Sequence, residues 1–187
     1  MGFIEPESDH VTIINNPISD FSKNINVKVL ILKETSVQIE HLPPNLEELH
    51  CNGVFFEYLP PLPASLQVLK CDECSLQYLP DLSSSLKTLR CNDNKLHYLP
   101  ALPDSLLQLY CYGNPITDLP ILPEGLEILD CSNCRLQSLK LPSGLKELNY
   151  SENKIFKLEV PSSVKVITRE TNINALLSAV FNLLNGC

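Results

Sequence analysis

Apolar residues recur along this chain at two superimposed periods. Leu49 and Cys51 alternate with His50, and the same alternation returns at Leu69 and Cys71, Leu89 and Cys91, Leu109 and Cys111, and Leu129 and Cys131. A period of two puts Leu and Cys on one face and the residue between them on the other, the signature of a short strand. The five cysteines stand 20 residues apart, and Tyr150 follows 19 later. Around each sits one frame, Leu-Pro-x-x-Leu-x-x-Leu-x-Cys-x-x-Asn-x-Leu-x-x-Leu-Pro, clearest over residues 102–121 and extending over 42–161. A degenerate copy precedes it (Val27, Leu30, Leu32, Val37) and a partial one follows (Val164, Ile167).

Each repeat donates one strand to a parallel sheet. The apolar residue five after the Cys position (Phe56, Leu76, Leu96, Ile116, Leu136, Ile155) turns back into the same interior, as does the Leu of the next Leu-Pro. A single turn of this length cannot bury that face alone, so the repeats must stack into a solenoid. Strands ~4.8 Å apart give a rod roughly 35 Å long. The return side has too few residues for a helix, and the prolines of Leu-Pro-x-Leu-Pro remove backbone donors and fix φ, so an extended, polyproline-like outer wall is expected.

Solenoid ends need caps. Residues 1–25 lack the repeat and read as an N-terminal cap or flanking segment, with Val11-Thr-Ile-Ile14 as an edge strand. The repeats occupy 26–169, and 170–187 is expected to form a C-terminal capping helix: Ile173, Leu176, Leu177, Val180, Phe181 and Leu184 fall at helical spacing, and Gly186 would stop it.

Composition changes this picture in three places. Fifteen prolines against six glycines would suit a disordered chain, but 44% hydrophobic residues do not, so the prolines are positional. A net charge of −8 repels polyanions at long range and argues against nucleic acid or anionic membrane as partner. Eight cysteines would suggest disulfides in a secreted protein. The opening Met-Gly-Phe-Ile-Glu-Pro-Glu, however, carries acid where a classical signal peptide carries base, so a cytoplasmic or other reducing setting is expected.

The frame resembles the short, Pro-rich leucine-rich repeats of bacterial effectors delivered into host cells, of the YopM type and of the recognition half of the IpaH ubiquitin ligases. Those repeats usually carry an aliphatic residue where this chain has Cys, and the helical hairpin common at their N-terminal end is not legible in residues 1–25. The resemblance implies a right-handed leucine-rich-repeat horseshoe with its parallel sheet on the concave face. It also implies a non-catalytic scaffold that binds a protein partner, such as a host protein in host cytosol. Two other readings stand beside it: a substrate-recognition fragment of a larger enzyme such as a leucine-rich-repeat ubiquitin ligase, and a structural or adaptor protein of a microbe or giant virus.

Candidate chemistry is sparse, and no catalytic, cofactor or metal set emerges. Cys71-Asp-Glu-Cys74 and Cys131-Ser-Asn-Cys134 have zinc-like spacing but lie three repeats apart, roughly 14 Å, too far for one tetrahedral ion. Cys91-Asn-Asp93 has the letters of the ligases' catalytic Cys-x-Asp, yet Cys91 is an inward strand residue whose thiol should be inert. His10, His41, His50 and His97 are scattered. Asn94, Asn114 and Asn153 are expected to bond backbone groups after each strand. Cys74 and Cys134 take that place in two repeats, and Val54 in a third, where the turn should be looser or locally different. Function is expected on the outward strand residues. Their central column runs His50, Lys70, Arg90, Tyr110, Asp130, Asn149, and the column two on runs Asn52, Asp72, Asn92, Tyr112, Ser132, Ser151. The partner-binding set is His50, Lys70, Asp72, Arg90, Tyr110, Tyr112 and Asp130, centred on Lys70, Arg90, Tyr110 and Tyr112, with a monomer as the binding unit. Tyr58, Tyr78 and Tyr98 form a flank column expected to pack on the prolines.

Overall fold

The structure, a computed structural model, describes residues 10–14, 20–33 and 38–167. Among these residues nine strands form one parallel sheet in strict chain order: β1 (His10–Ile14), β2 (Val29–Lys33), β3 (Glu48–His50), β4 (Val68–Lys70), β5 (Thr88–Arg90), β6 (Gln108–Tyr110), β7 (Ile128–Asp130), β8 (Glu147–Asn149) and β9 (Lys165–Val166). The repeat sets the register: Leu49 faces Leu69, Leu69 faces Leu89, and so on to Leu148. No helix occurs among the described residues. The expected edge strand is present as β1, paired with β2. The expected C-terminal capping helix lies outside the described residues.

The inward phase is as the alternation requires. Leu49, Leu69, Leu89, Leu109 and Leu129 are buried with Cys51, Cys71, Cys91, Cys111 and Cys131. Phe56, Leu76, Leu96, Ile116 and Leu136 close the core from the opposite side. Cys suits its position because it is small, apolar and still a donor. The Cys51 amide donates to the Lys70 carbonyl (2.8 Å), and its thiol reaches the same oxygen at 3.4 Å. Cys71 repeats this against the Arg90 carbonyl.

The second proline of each Leu-Pro-x-Leu-Pro opens the turn that leads into the next strand. It lacks a donor but has a carbonyl, which accepts the N–H of the Leu three residues on: Pro63 from Leu66, Pro103 from Leu106 and Pro123 from Leu126, each at 3.0 Å. After each strand the chain turns through a left-handed residue at Gly53, Glu73, Asp93, Gly113, Asn133 and Glu152. Between β7 and β8 the outer wall is shortened to Leu139-Lys-Leu-Pro142. Leu119, Leu122, Leu139 and Leu141 line a cleft of about 770 Å³ there, with Ile121 standing almost fully in solvent beside it.

The Asn ladder has the expected form. Asn114 Nδ2 donates to the carbonyls of Cys91, Cys111 and Tyr112, while its Oδ1 accepts the Leu96 amide one repeat back (3.0 Å). Asn153 serves Leu136 in the same way. Because each rung acts on the repeat before it, a missing Asn is felt one repeat earlier than its own turn. At Cys74 the thiol still donates to the Cys51 carbonyl (3.0 Å), but the Phe56 amide is left with the Cys74 carbonyl at 3.5 Å. The local difference expected at Val54 is therefore found at Phe56, and its cause is Cys74. Replacing Cys74 by Asn, a residue of nearly equal volume, would give the Phe56 amide an Oδ1. The variant is expected to gain about 1 kcal/mol in a urea titration, with an unchanged m-value.

Candidate functional site

The outward residues of the strands form a half-exposed column, and the direct register of β3 to β7 sets His50, Lys70, Arg90, Tyr110 and Asp130 side by side. His50 Nε2 donates to the Glu48 carboxylate at 3.0 Å. Burial, and then the positive charge of Lys70, hold its pKa below the usual histidine value, against the pull of Glu48. Asp130 accepts both the amide and the hydroxyl of Ser132 (3.1 and 2.7 Å).

Arg90 is the best-fixed member of the column. Its Nε and one terminal nitrogen both meet Asp72 Oδ2, at 3.1 and 3.0 Å. The guanidinium carbon lies 5.4 Å from the centre of the Tyr110 ring, within cation–π range. A guanidinium held by a carboxylate and an aromatic face has little rotamer freedom left to lose on binding.

In the column two residues on, Asn52 is exposed and Tyr112 and Ser151 are half-exposed, but the other three members turn inward, against strand alternation. Asp72 is only 7% exposed, and Asn92 and Ser132 are buried with it. The strands end at His50, Lys70 and Arg90, so alternation stops before this position and the turning backbone directs these side chains at the next repeat. Asn52 Oδ1 accepts the Asp72 amide (2.9 Å), Asp72 Oδ1 the Asn92 amide (2.9 Å), and Asn92 Oδ1 the Tyr112 amide (3.1 Å). Asp72 thus leaves the set of direct contact residues. It bonds the sheet with one oxygen and holds Arg90 with the other. The series stops at Tyr112, whose only side-chain oxygen is at the far end of the ring, and the next amide, that of Ser132, turns to Asp130. Enclosed in the same cluster, Asn92 Nδ2 has no hydrogen-bond partner among the described residues, a cost of about 1–3 kcal/mol.

Chain comparisons agree with this architecture. The chain aligns over 77% of its length with YopM from Yersinia enterocolitica, at 28% identity and a TM-score of 0.63, and spans 38% of that chain. It aligns over 93% of its length with the leucine-rich-repeat domain of a Shigella effector, at 24% identity and a TM-score of 0.57, covering 76% of that domain. No protein-family model matches the sequence, and no match was found among curated proteins. The chain is a leucine-rich-repeat solenoid similar to those of bacterial effectors.

In this solenoid the thiols are core residues. Burial, and then the negative charge of Asp72 and another thiol, push Cys91 far above the ordinary cysteine range, which suppresses the thiolate a nucleophile requires. The Cys71–Cys74 and Cys131–Cys134 pairs sit at β4 and β7 with β5 and β6 between them, and Cys74 and Cys134 each donate to a backbone carbonyl. Tyr58, Tyr78 and Tyr98, the flank column, are 38%, 45% and 61% exposed.

Two features were missed in the sequence: the Asn52–Asp72–Asn92 series and the tie from Asp72 to Arg90. Their signal was present, since position 52 and its equivalents carry Asn, Asp, Asn, Ser and Ser in five of six repeats, all side chains with a short acceptor.

Proposed function

We propose that this solenoid is a non-catalytic scaffold that binds a protein on its sheet face, centred on Lys70, Arg90, Tyr110 and Tyr112, as an effector acting on a protein of a host cell. The observation that carries the reading is the immobilised Arg90, clamped between Asp72 and Tyr110 on a half-exposed face. Arg and Tyr are the residue types that most often dominate binding energy at protein interfaces. Likeness of fold to YopM and the Shigella effector domain supports the same role. Seven buried free thiols among the described residues suit a reducing compartment, and burial makes the strand cysteines poor nucleophiles.

The test is a paired capture from host cytosol with the native chain and a Lys70→Ala, Tyr110→Ala double variant as baits. Arg90 is left in place because its removal would strand the buried Asp72 carboxylate. Both changes are at half-exposed side chains, so the variant is expected to melt within a few degrees of the native chain. A protein retained by the native bait and lost from the variant supports the sheet-face site. Equal retention by both baits sinks it.

A further inference from the structure

The sheet face contains more donors than acceptors around one spot. Lys70 and Arg90 are direct neighbours across β4 and β5. Arg90 is neutralised by Asp72, but no carboxylate lies within salt-bridge distance of Lys70 among the described residues. On its other side Lys70 meets His50, whose pKa burial and then the Lys70 charge itself push down. Asp72 spends Oδ2 on two nitrogens of Arg90 and Oδ1 on the Asn92 amide, so it has little capacity for a second cation. A chain with a net charge of −8 has carboxylates to spare, yet none is placed against Lys70.

Resting on the sheet-face reading above, we infer that this face takes an acidic segment of its protein partner, a carboxylate of which pairs with Lys70 and the open edge of Arg90, while a neighbouring apolar side chain of the segment lies on Tyr110 and Tyr112. The carboxylate supplies the acceptor that Lys70 lacks within the fold. Asp130, next to Tyr110 in the register, repels a second acid on the β7 side, and the Glu48 carboxylate beside His50 does so on the β3 side, so the acid stands between them at Lys70 and Arg90. Asp72 and Asp130 close by also favour a singly charged carboxylate over a dianionic phosphate, whose repulsion from both would be greater.

The experiment is a titration of the full, isotope-labelled chain followed by backbone amide shifts. The probes are three capped peptides built on one central Phe, whose flanking residues are all Glu, all Gln or all Lys. The Glu peptide is expected to move amides over 68–72, 88–92 and 108–112, and to weaken as salt is raised. Lys70→Gln should weaken it roughly three- to tenfold without changing the melting temperature, since Lys70 holds no carboxylate within the fold. Equal or tighter binding of the Gln or Lys peptide to those same strands overturns the acidic class while leaving the sheet-face site standing. Shifts from the Glu peptide confined to the outer wall overturn both. No shift from the Glu peptide at millimolar concentration overturns the inference.

Discussion

Leu109→Ala is expected to lower the stability of the solenoid by about 3–5 kcal/mol, the upper part of the range for a buried leucine truncation. Leu109 is fully buried at the centre of β6, with Leu89 and Leu129 directly opposite it on the two neighbouring strands. Every side chain lining that part of the core is a Leu, Ile or Cys held by the sheet register on one side and the turn backbone on the other, so collapse around the lost volume is restricted. The effect also has a direction along the chain. In a solenoid each repeat is stabilised only by its neighbours. Weakening β6 leaves β7, β8 and β9 with a poor contact on their N-terminal side, and β9 has only two residues. Hydrogen exchange should therefore accelerate more beyond residue 109 than before it, and a urea titration should show a lower midpoint. Tyr110→Ala, one residue on but on the outer face, should cost no more than about 1 kcal/mol. If the two variants lost similar stability, the core would not be organised as the burial of Leu109 indicates.

The phase of the sheet was legible because period two and the 20-residue spacing specify the same residues: a slip by one would expose the Leu–Cys pairs of every repeat at once. The ends of the strands were less legible. Alternation read past Arg90 makes Asn92 an outward residue, as if the strand continued. The left-handed turns at Gly53, Glu73, Asp93, Gly113, Asn133 and Glu152 stop it first. Only two of those six positions are Gly, so residue type alone does not mark the turn. The Arg90–Asp72 pair was hidden for a related reason. It joins two columns across neighbouring repeats, and a reading that treats columns as independent cannot couple them. The choice of Lys70, Arg90, Tyr110 and Tyr112 needed only the strand phase, and the structure places three of them in one row with Tyr112 in the turn that follows. What recognises them is not written in the repeat, because the repeat constrains the inward residues and leaves the outward ones free.

Asn94 carries the second large effect. Its side chain makes five hydrogen bonds in a nearly solvent-free site: Nδ2 donates to the carbonyls of Cys71 (2.8 Å), Cys91 and Asn92 (both 3.0 Å), and Oδ1 accepts the amides of Cys74 (3.1 Å) and Leu76 (2.9 Å). Asn94→Ala removes all five and leaves backbone groups of two adjacent repeats without those partners, at an expected cost of about 3–4 kcal/mol. A loss of that size could come from volume or from hydrogen bonding, and Asn94→Asp separates the two. It keeps the volume and the acceptor but, when ionised, turns a second acceptor on three carbonyls. The fold therefore favours the protonated acid, and the pKa of the introduced carboxyl in the folded state rises above its unfolded value of about 3.9. With the folded pKa raised, the folded state binds more protons, so stability is greatest below about pH 4 and falls as pH rises toward the folded pKa. The protonated acid supplies one O–H where Asn supplies two N–H donors, so recovery in acid should be partial. The measurement is the urea midpoint of the Asn94→Asp variant from about pH 7 down to about pH 3, each referred to the native chain at the same pH. A gap that narrows in acid assigns the loss to the ladder's hydrogen bonds. A gap independent of pH would mean that Asn94 holds the two repeats together by packing alone.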